Sequence, residues 1–200
     1  MVHLGWMRFY WIAFVAVLLS AVYAVGGTRR HLVTGLALGV PTALAQGVGA
    51  AYPGRGIVLA SALLALAFFI YVAVVLLRAV LERGRVTGEK IAGAIAVYLL
   101  LGLCFALAHG VAAIIDPGSF RAPDDLLADL QGGFDPSTPF VFIYYSFVTL
   151  TTLGYGDISP TGPLSQTLAW IEAVFGQLYL AVLIASLVAQ RIAYRDQEDG

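Results

Sequence analysis

Five apolar stretches in this chain are long enough to cross a lipid bilayer, and a sixth is not. The five run from Trp6 to Val25, Leu32 to Ala51, Ile57 to Leu81, Ile91 to Ile115 and Leu164 to Gln190. Each reaches the ~20 residues that a helix needs to span the hydrocarbon core. The sixth, Phe140 to Leu153, is too short and suits a helix that enters the membrane and turns back. Only 12% of the 200 residues are charged, and mean hydropathy is +0.88. Soluble domains carry about a quarter charged residues, so the surface of this chain is made for lipid or for neighbouring subunits. A net charge of -1 offers no basic field for nucleic acid. The single cysteine, Cys104, cannot form a disulfide within the chain and reads as a small packing residue. Three scattered histidines make no ligand set, and no zinc, P-loop or dinucleotide pattern occurs, so no cofactor is expected.

Basic residues favour the cytoplasmic side of a membrane protein. Arg29 and Arg30, then Arg83, Arg85 and Lys90, then Arg191 and Arg195 all fall on one side if the five long stretches span and the short one re-enters. This predicts a multi-pass protein of a cell membrane, bacterial in type, with the amino terminus outside and the carboxyl terminus in the cytoplasm. Asp116, Asp124, Asp125, Asp129 and Asp135 are then external, where an acidic ring would concentrate cations. Arg8, Arg55 and Arg121 sit on the less favoured side. Two alternatives stay open. Val22-Tyr23-Ala24 resembles a signal-peptidase site, and the stretch from Leu32 to Ala51, with Pro41 and Gln46, could lie in the interface instead of spanning. Gly35 and Gly39 form a pair of small residues suited to helix packing. The charged turn ERGRVTGEK between the third and fourth stretches reads as a solvated loop near lipid headgroups.

Residues 149 to 160 read TLTTLGYGDISP. Ser137-Thr138-Pro139 makes a good helix start, with Thr138 as N-cap and Pro139 as first helical residue, so a helix is predicted from Pro139 to Thr151. It must stop at mid-membrane. Non-helical backbone at that depth is tolerated only where it is buried in protein or lines a watery cavity. Glycine at 154 and 156 permits backbone angles that turn successive carbonyls the same way. Four such loops around an axis would stack rings of oxygen able to replace the water shell of a potassium ion. The carboxyl end of the short helix favours a cation in the cavity below it.

Thr151-Thr152-Leu153-Gly154-Tyr155-Gly156-Asp157 resembles the signature filter of the potassium channels, with leucine where valine is usual. The stretch IEAVFGQLYLAVLIASLVAQR resembles the inner helix of small bacterial members. Gly176 lies 176 − 156 = 20 residues past the last filter glycine, matching the family's gating-hinge glycine. The resemblance covers Lys90 to about Tyr194. It implies an all-α transmembrane fold: outer helix, re-entrant pore helix with filter loop, and inner helix, assembled as a homotetramer around one pore. It implies ion contact by the backbone of Thr152, Leu153, Gly154, Tyr155 and Gly156, with K+ as the transported ion and the Thr152 hydroxyl contributing. Thr151, Asp157, Tyr144 and Tyr145 would support the filter, Tyr155 packing on the last two. Val148 departs from one bacterial pattern, in which a glutamate there pairs with the aspartate, so inactivation built on that pair does not carry over.

The chain is accordingly divided into residues 1–89, transmembrane segments of unknown role; 90–194, the pore domain; and 195–200, a short cytoplasmic tail, with the polar residues Ile192 to Gly200 expected to be frayed. No soluble regulatory domain is expected, and membrane lipids are the remaining partners. Steps of three and four residues place Gln177, Leu180, Ile184 and Val188 on one stripe, which in the family faces the cavity. Gly176 reads as hinge, with close packing as the plainer alternative. Glu172 is a carboxylate inside the membrane and reads as protonated, or as bonded to the back of the pore helix near Thr149 or Thr151, with a gating or proton role as the alternative. His109 reads as a snorkelling or hydrogen-bonded histidine, with a pH sensor as the alternative. No stretch carries the arginine row of a voltage sensor. The competing functions are a non-selective cation channel or a cation transporter subunit, which would be expected to have lost a filter glycine or the tyrosine. An intramembrane enzyme using Glu172 and His109 is set aside because the two are expected at different depths, with no nucleophile motif beside them.

Overall fold

The computed structural model describes residues 29–52, 54–82, 87–123 and 138–198. The first predicted crossing, its neighbouring Arg8, the turn arginines Arg83 and Arg85, and the acidic residues Asp124, Asp125, Asp129 and Asp135 lie outside the described residues. The described chain is almost wholly helical. The helices are α1 (Arg29–Ala51), α2 (Arg55–Leu81), α3 (Gly88–Ile115), α4 (Thr138–Leu150) and α5 (Pro163–Glu198). Two short strands, β1 (Phe120–Arg121) and β2 (Ser159–Pro160), form one antiparallel ladder pairing Phe120 with Pro160 and Arg121 with Ser159. The ladder departs from the all-helical expectation. Two residues per strand are too few for an alternation of apolar and polar side chains to be visible.

Among the described residues, three helices are long and apolar enough to cross a membrane: α2, α3 and the Pro163–Ser186 part of α5. The second predicted crossing forms a helix, but the apolar part of α1 runs only from Val33 to Val48. It lies along α2 with Gly35, Gly39 and Thr42 buried on the shared side. Thr42 Oγ1 donates to Leu38 O at 2.7 Å, with Leu64 O of α2 at 3.4 Å.

α2 and α3 form an antiparallel pair packed through Phe68, Phe69, Val72, Ala73, Leu100 and Cys104. Each helix supplies a cation to the carboxyl end of the other. Arg55, at the start of α2, donates from Nη2 to Ile114 O at 2.6 Å and Ile115 O at 3.1 Å. Lys90, at the start of α3, donates from Nζ to Glu82 O at 2.6 Å. The last carbonyls of a helix lack partners and carry the negative end of its dipole, so a cation there satisfies both needs. Arg55, expected from the sequence on the less favoured side, thus has a local partner.

α4 is too short to span and sits between α3 and α5. It begins at Thr138, one residue before the predicted start, so Thr138 is inside the helix and not its cap. Gly102 of α3 lets it come close: a Cβ there would lie 2.7 Å from the Phe147 ring. α5 is 36 residues, ~54 Å at 1.5 Å per residue, well beyond the ~30 Å hydrocarbon core. It stays helical to Glu198, where the sequence predicted fraying. Tyr179 ties it to α3 by donating to Ala94 O at 2.7 Å.

Candidate functional site

The end of α4 turns directly into the glycine loop. Thr152 N donates to Thr149 O at 2.9 Å, and the amides of Leu153 and Gly154 converge on Val148 O at 2.9 and 3.2 Å. Beyond that point the backbone alternates. Thr152, Gly154 and Gly156 have φ of 58°, 59° and 80°, while Leu153 and Tyr155 between them do not enter the left-handed region. Glycine adopts such angles without steric cost, but a β-branched threonine there costs ~1–3 kcal/mol and persists only where its surroundings hold it. The holding groups are visible: Thr152 Oγ1 donates to Thr151 O at 2.7 Å and lies 3.4 Å from Gln177 Nε2 of α5. Reading glycines alone misses this third left-handed position. Thr151 Oγ1 bonds back to Phe147 O at 2.6 Å.

All residues from Thr151 to Asp157 are exposed on the single chain, Tyr155 at 66%. The packing expected of Tyr155 is therefore not completed within one chain. The two tyrosines expected to receive it separate. Tyr144 stays on the loop side and donates from its phenol to Asp157 Oδ2 at 2.6 Å. That hydrogen bond, foremost, pushes the Tyr144 phenol up to about 12. Asp157 Oδ1 accepts from Ile158 N at 3.0 Å, so both its oxygens are engaged. The partner that Val148 cannot supply to the aspartate is thus a phenol one turn earlier. Tyr145 faces away from the loop. It is buried with its ring edge-on to His109 and Phe120, centroids 4.8 and 5.5 Å away. Within one chain it makes no contact of the kind expected of a filter support and takes part in the packing between α3 and α4.

The far end of the loop is anchored to the segment after α3. Ser119 O accepts from Thr161 N at 2.8 Å, Gly162 N at 3.3 Å and Ser165 Oγ at 2.7 Å. A Cβ on Gly162 would lie 2.9 Å from that of Ser119, so this approach requires glycine.

Behind α4 lies a buried polar cluster. Glu172 and His109 are both fully buried, and His109 Nε2 is 2.9 Å from Glu172 Oε2. The other carboxyl oxygen is hydrogen-bonded to Ser146 Oγ, which also donates to Gly102 O at 2.7 Å. The expected bond from Glu172 to the pore helix exists, but at Ser146 and not at Thr149 or Thr151. Those two threonines turn their hydroxyls back onto α4 itself. His109 does not snorkel. The expectation that the two residues sit at different depths is also overturned. Counting inward from the ends that flank the loop, His109 is 115 − 109 = 6 residues from the end of α3 and Glu172 is 172 − 163 = 9 from the start of α5. At 1.5 Å per residue these are ~9 and ~14 Å, close enough to meet.

Residues 97–191 match the family described as Ion channel. A stretch of 48 residues is 48% identical to the inward rectifier potassium channel Kirbac3.1 of Paramagnetospirillum magnetotacticum. The stretch covers 24% of this chain and 16% of that relative. No solved structure matches the chain. The chain thus resembles an ion channel over just under half of its length, and a potassium channel over a shorter stretch. α3, α4 and α5 are the helices on which the matched region falls.

The last helix, α5, passes the foot of the loop at Gly176. The glycine is buried, and a Cβ there would fall on the carbonyl oxygen of Leu150, the last residue of α4. Close approach is therefore a reason for Gly176 that the geometry carries by itself. One step along, Gln177 reaches Thr152 from below. Leu180, Ile184 and Val188 follow on the same stripe, each exposed on the single chain.

Proposed function

We propose that four copies of this channel surround one potassium-selective pore, with the backbone from Thr152 to Gly156 of each facing the axis. The observation that carries the reading is the alternation of left-handed and ordinary backbone along that loop, at Thr152, Gly154 and Gly156. Alternation of this kind aims successive carbonyls to one side, and a ring of such oxygens substitutes for ion hydration. The exposed Leu153 and Tyr155 fit a loop completed by neighbouring subunits. Gln177, Leu180, Ile184 and Val188 line the water-filled cavity beneath. The potassium channel among its relatives supports the same ion. On this reading residues 90–194 are the pore domain, α1 and α2 a collar around it, and the amino terminus is outside.

The experiment is flux through purified protein in liposomes under opposed potassium and sodium gradients. The wild type passes potassium and excludes sodium. Gly154→Ala loses that discrimination while assembling normally, because no atom lies within 4 Å of the added Cβ and the whole effect is on a backbone at φ 59°. A left-handed alanine costs ~1–2 kcal/mol. Equal sodium and potassium flux through the wild type, or unchanged selectivity in Gly154→Ala, would refute the assignment.

A further inference from the structure

The buried cluster behind the pore helix settles its own proton count. Ser146 Oγ has one proton and two oxygen partners, Gly102 O and Glu172 Oε1. A backbone carbonyl only accepts, so the serine proton goes to Gly102. The hydrogen in the bond between Ser146 and Glu172 then belongs to the carboxyl group. With Oε1 protonated, Oε2 is an acceptor, and His109 Nε2 must be the donor across 2.9 Å. His109 Nδ1 then carries no proton. Among the described residues it is buried without a partner, and a bare ring nitrogen is the less costly atom to leave so.

The other arrangements fail on the same count. An imidazolium facing a carboxylate leaves a charged N–H orphaned at Nδ1 and gives the one serine proton two acceptors. A carboxylate beside neutral His109 keeps the second fault and buries an unbalanced charge, which is expensive in an apolar setting. Moving the imidazole proton to Nδ1 orphans a donor. The titratable neighbours are Tyr98 from α3 and Tyr145 from α4, and Tyr179 on α5 donates to Ala94 O; Phe120 from β1 is apolar. The described ion pairs give Glu172 no lysine or arginine.

We propose that Glu172 is a proton-binding site, occupied at neutral pH, whose proton completes a chain joining three helices. The chain runs from His109 Nε2–H to Glu172, from the Glu172 O–H to Ser146 Oγ, and from the Ser146 O–H to the Gly102 carbonyl. Loss of the proton makes Ser146 choose between the carboxylate on α5 and the carbonyl on α3, and either choice breaks a tie behind the filter. His109 and Ser146 are positioning residues, acting on the pore through α4.

Infrared difference spectra of the purified full chain, wild type minus Glu172→Gln, test this at neutral pH and do not depend on the potassium reading. The expected result is a carbonyl stretch of a protonated carboxyl, present in the wild type and absent from the variant; a difference showing only carboxylate bands overturns the proposal. In 15N-labelled histidine spectra His109 should show an unprotonated Nδ1, and a ring protonated on both nitrogens overturns it equally. A glutamine amide also reproduces the pattern, accepting from His109 and donating to Ser146. Glu172→Gln should therefore match the wild type in assembly and heat stability, and a variant that fails to assemble contradicts the protonated state.

Discussion

Gly176→Ala sets two effects of opposite sign against each other, and the structure decides between them. In a helix interior, alanine in place of glycine is worth ~1 kcal/mol of added stability. Against this, the new Cβ would fall on the Leu150 carbonyl oxygen and lie 3.0 Å from Leu150 Cδ1 and 3.2 Å from Leu150 C. The obstacle is backbone, at the residue where α4 ends, and Leu150 is fully buried, so no flexible side chain can yield. Overpacking of this kind costs ~1–3 kcal/mol, and an obstruction by backbone belongs at the upper end. The net is a loss of about 2 kcal/mol per chain. At ~2–4 °C per kcal/mol for a chain of this size, the midpoint of thermal unfolding in detergent should fall by ~4–8 °C. The displaced end of α4 carries Thr151 and Thr152 with it, so conductance should fall as well. A pure hinge glycine predicts the reverse: a variant as stable as wild type or more so, with changed open probability alone. A midpoint that rises or stays level would refute the packing argument.

Two further outcomes follow from contacts around the pore helix. Tyr144→Phe removes the phenol that holds Asp157; the variant should assemble as wild type yet show shorter openings in single-channel records, and unchanged open times would dismiss the bond as a brace of the outer mouth. Arg55→Ala withdraws the cation from the end of α3; a helix-end charge is worth ~0.3–1 kcal/mol, so the thermal midpoint should fall by roughly 1–4 °C with ion flux through liposomes unchanged, and an unchanged midpoint would remove the cap from the account.

Legibility in the sequence tracked how local each feature is. The short helix and its glycine loop were readable because length and two glycines sit in one contiguous stretch. Thr152 was not recognised as a third left-handed position, since nothing in its residue type announces it. Tyr144 and Tyr145 were read as equivalents because adjacent residues on a helix differ by ~100° of rotation, which decides what each meets only once the neighbours are placed. The pairing of His109 with Glu172 spans 63 residues and crosses between helices. No periodicity encodes it, although counting both positions inward from the ends that flank the loop was available and would have placed them near one another. Residue type does not separate Ser146 from Thr149 and Thr151 as a partner for Glu172; the two threonine hydroxyls are occupied by carbonyls of their own helix.

Lipid tails are as apolar as the side chains they touch, so helices in a membrane associate through close approach and hydrogen bonds and not through burial of apolar surface. The contacts of α4 fit that constraint on every described side except one. Gly102 admits the Phe147 ring, Gly176 admits the Leu150 carbonyl, and Ser146 joins α3 to α5 through Glu172. The residues after α4 are fastened at the near end by Val148 O and at the far end by Ser119 O. The unfastened side is that of Leu153 and Tyr155. A loop holding a threonine at φ 58° is not stable as an isolated conformation. Its shape must be imposed from behind, by the groups named here, and from the front by whatever covers Leu153 and Tyr155. On the proposed function, discrimination between ions would depend on where backbone oxygens stand and so require both, which accounts for polar ties concentrating around a helix too short to cross the membrane.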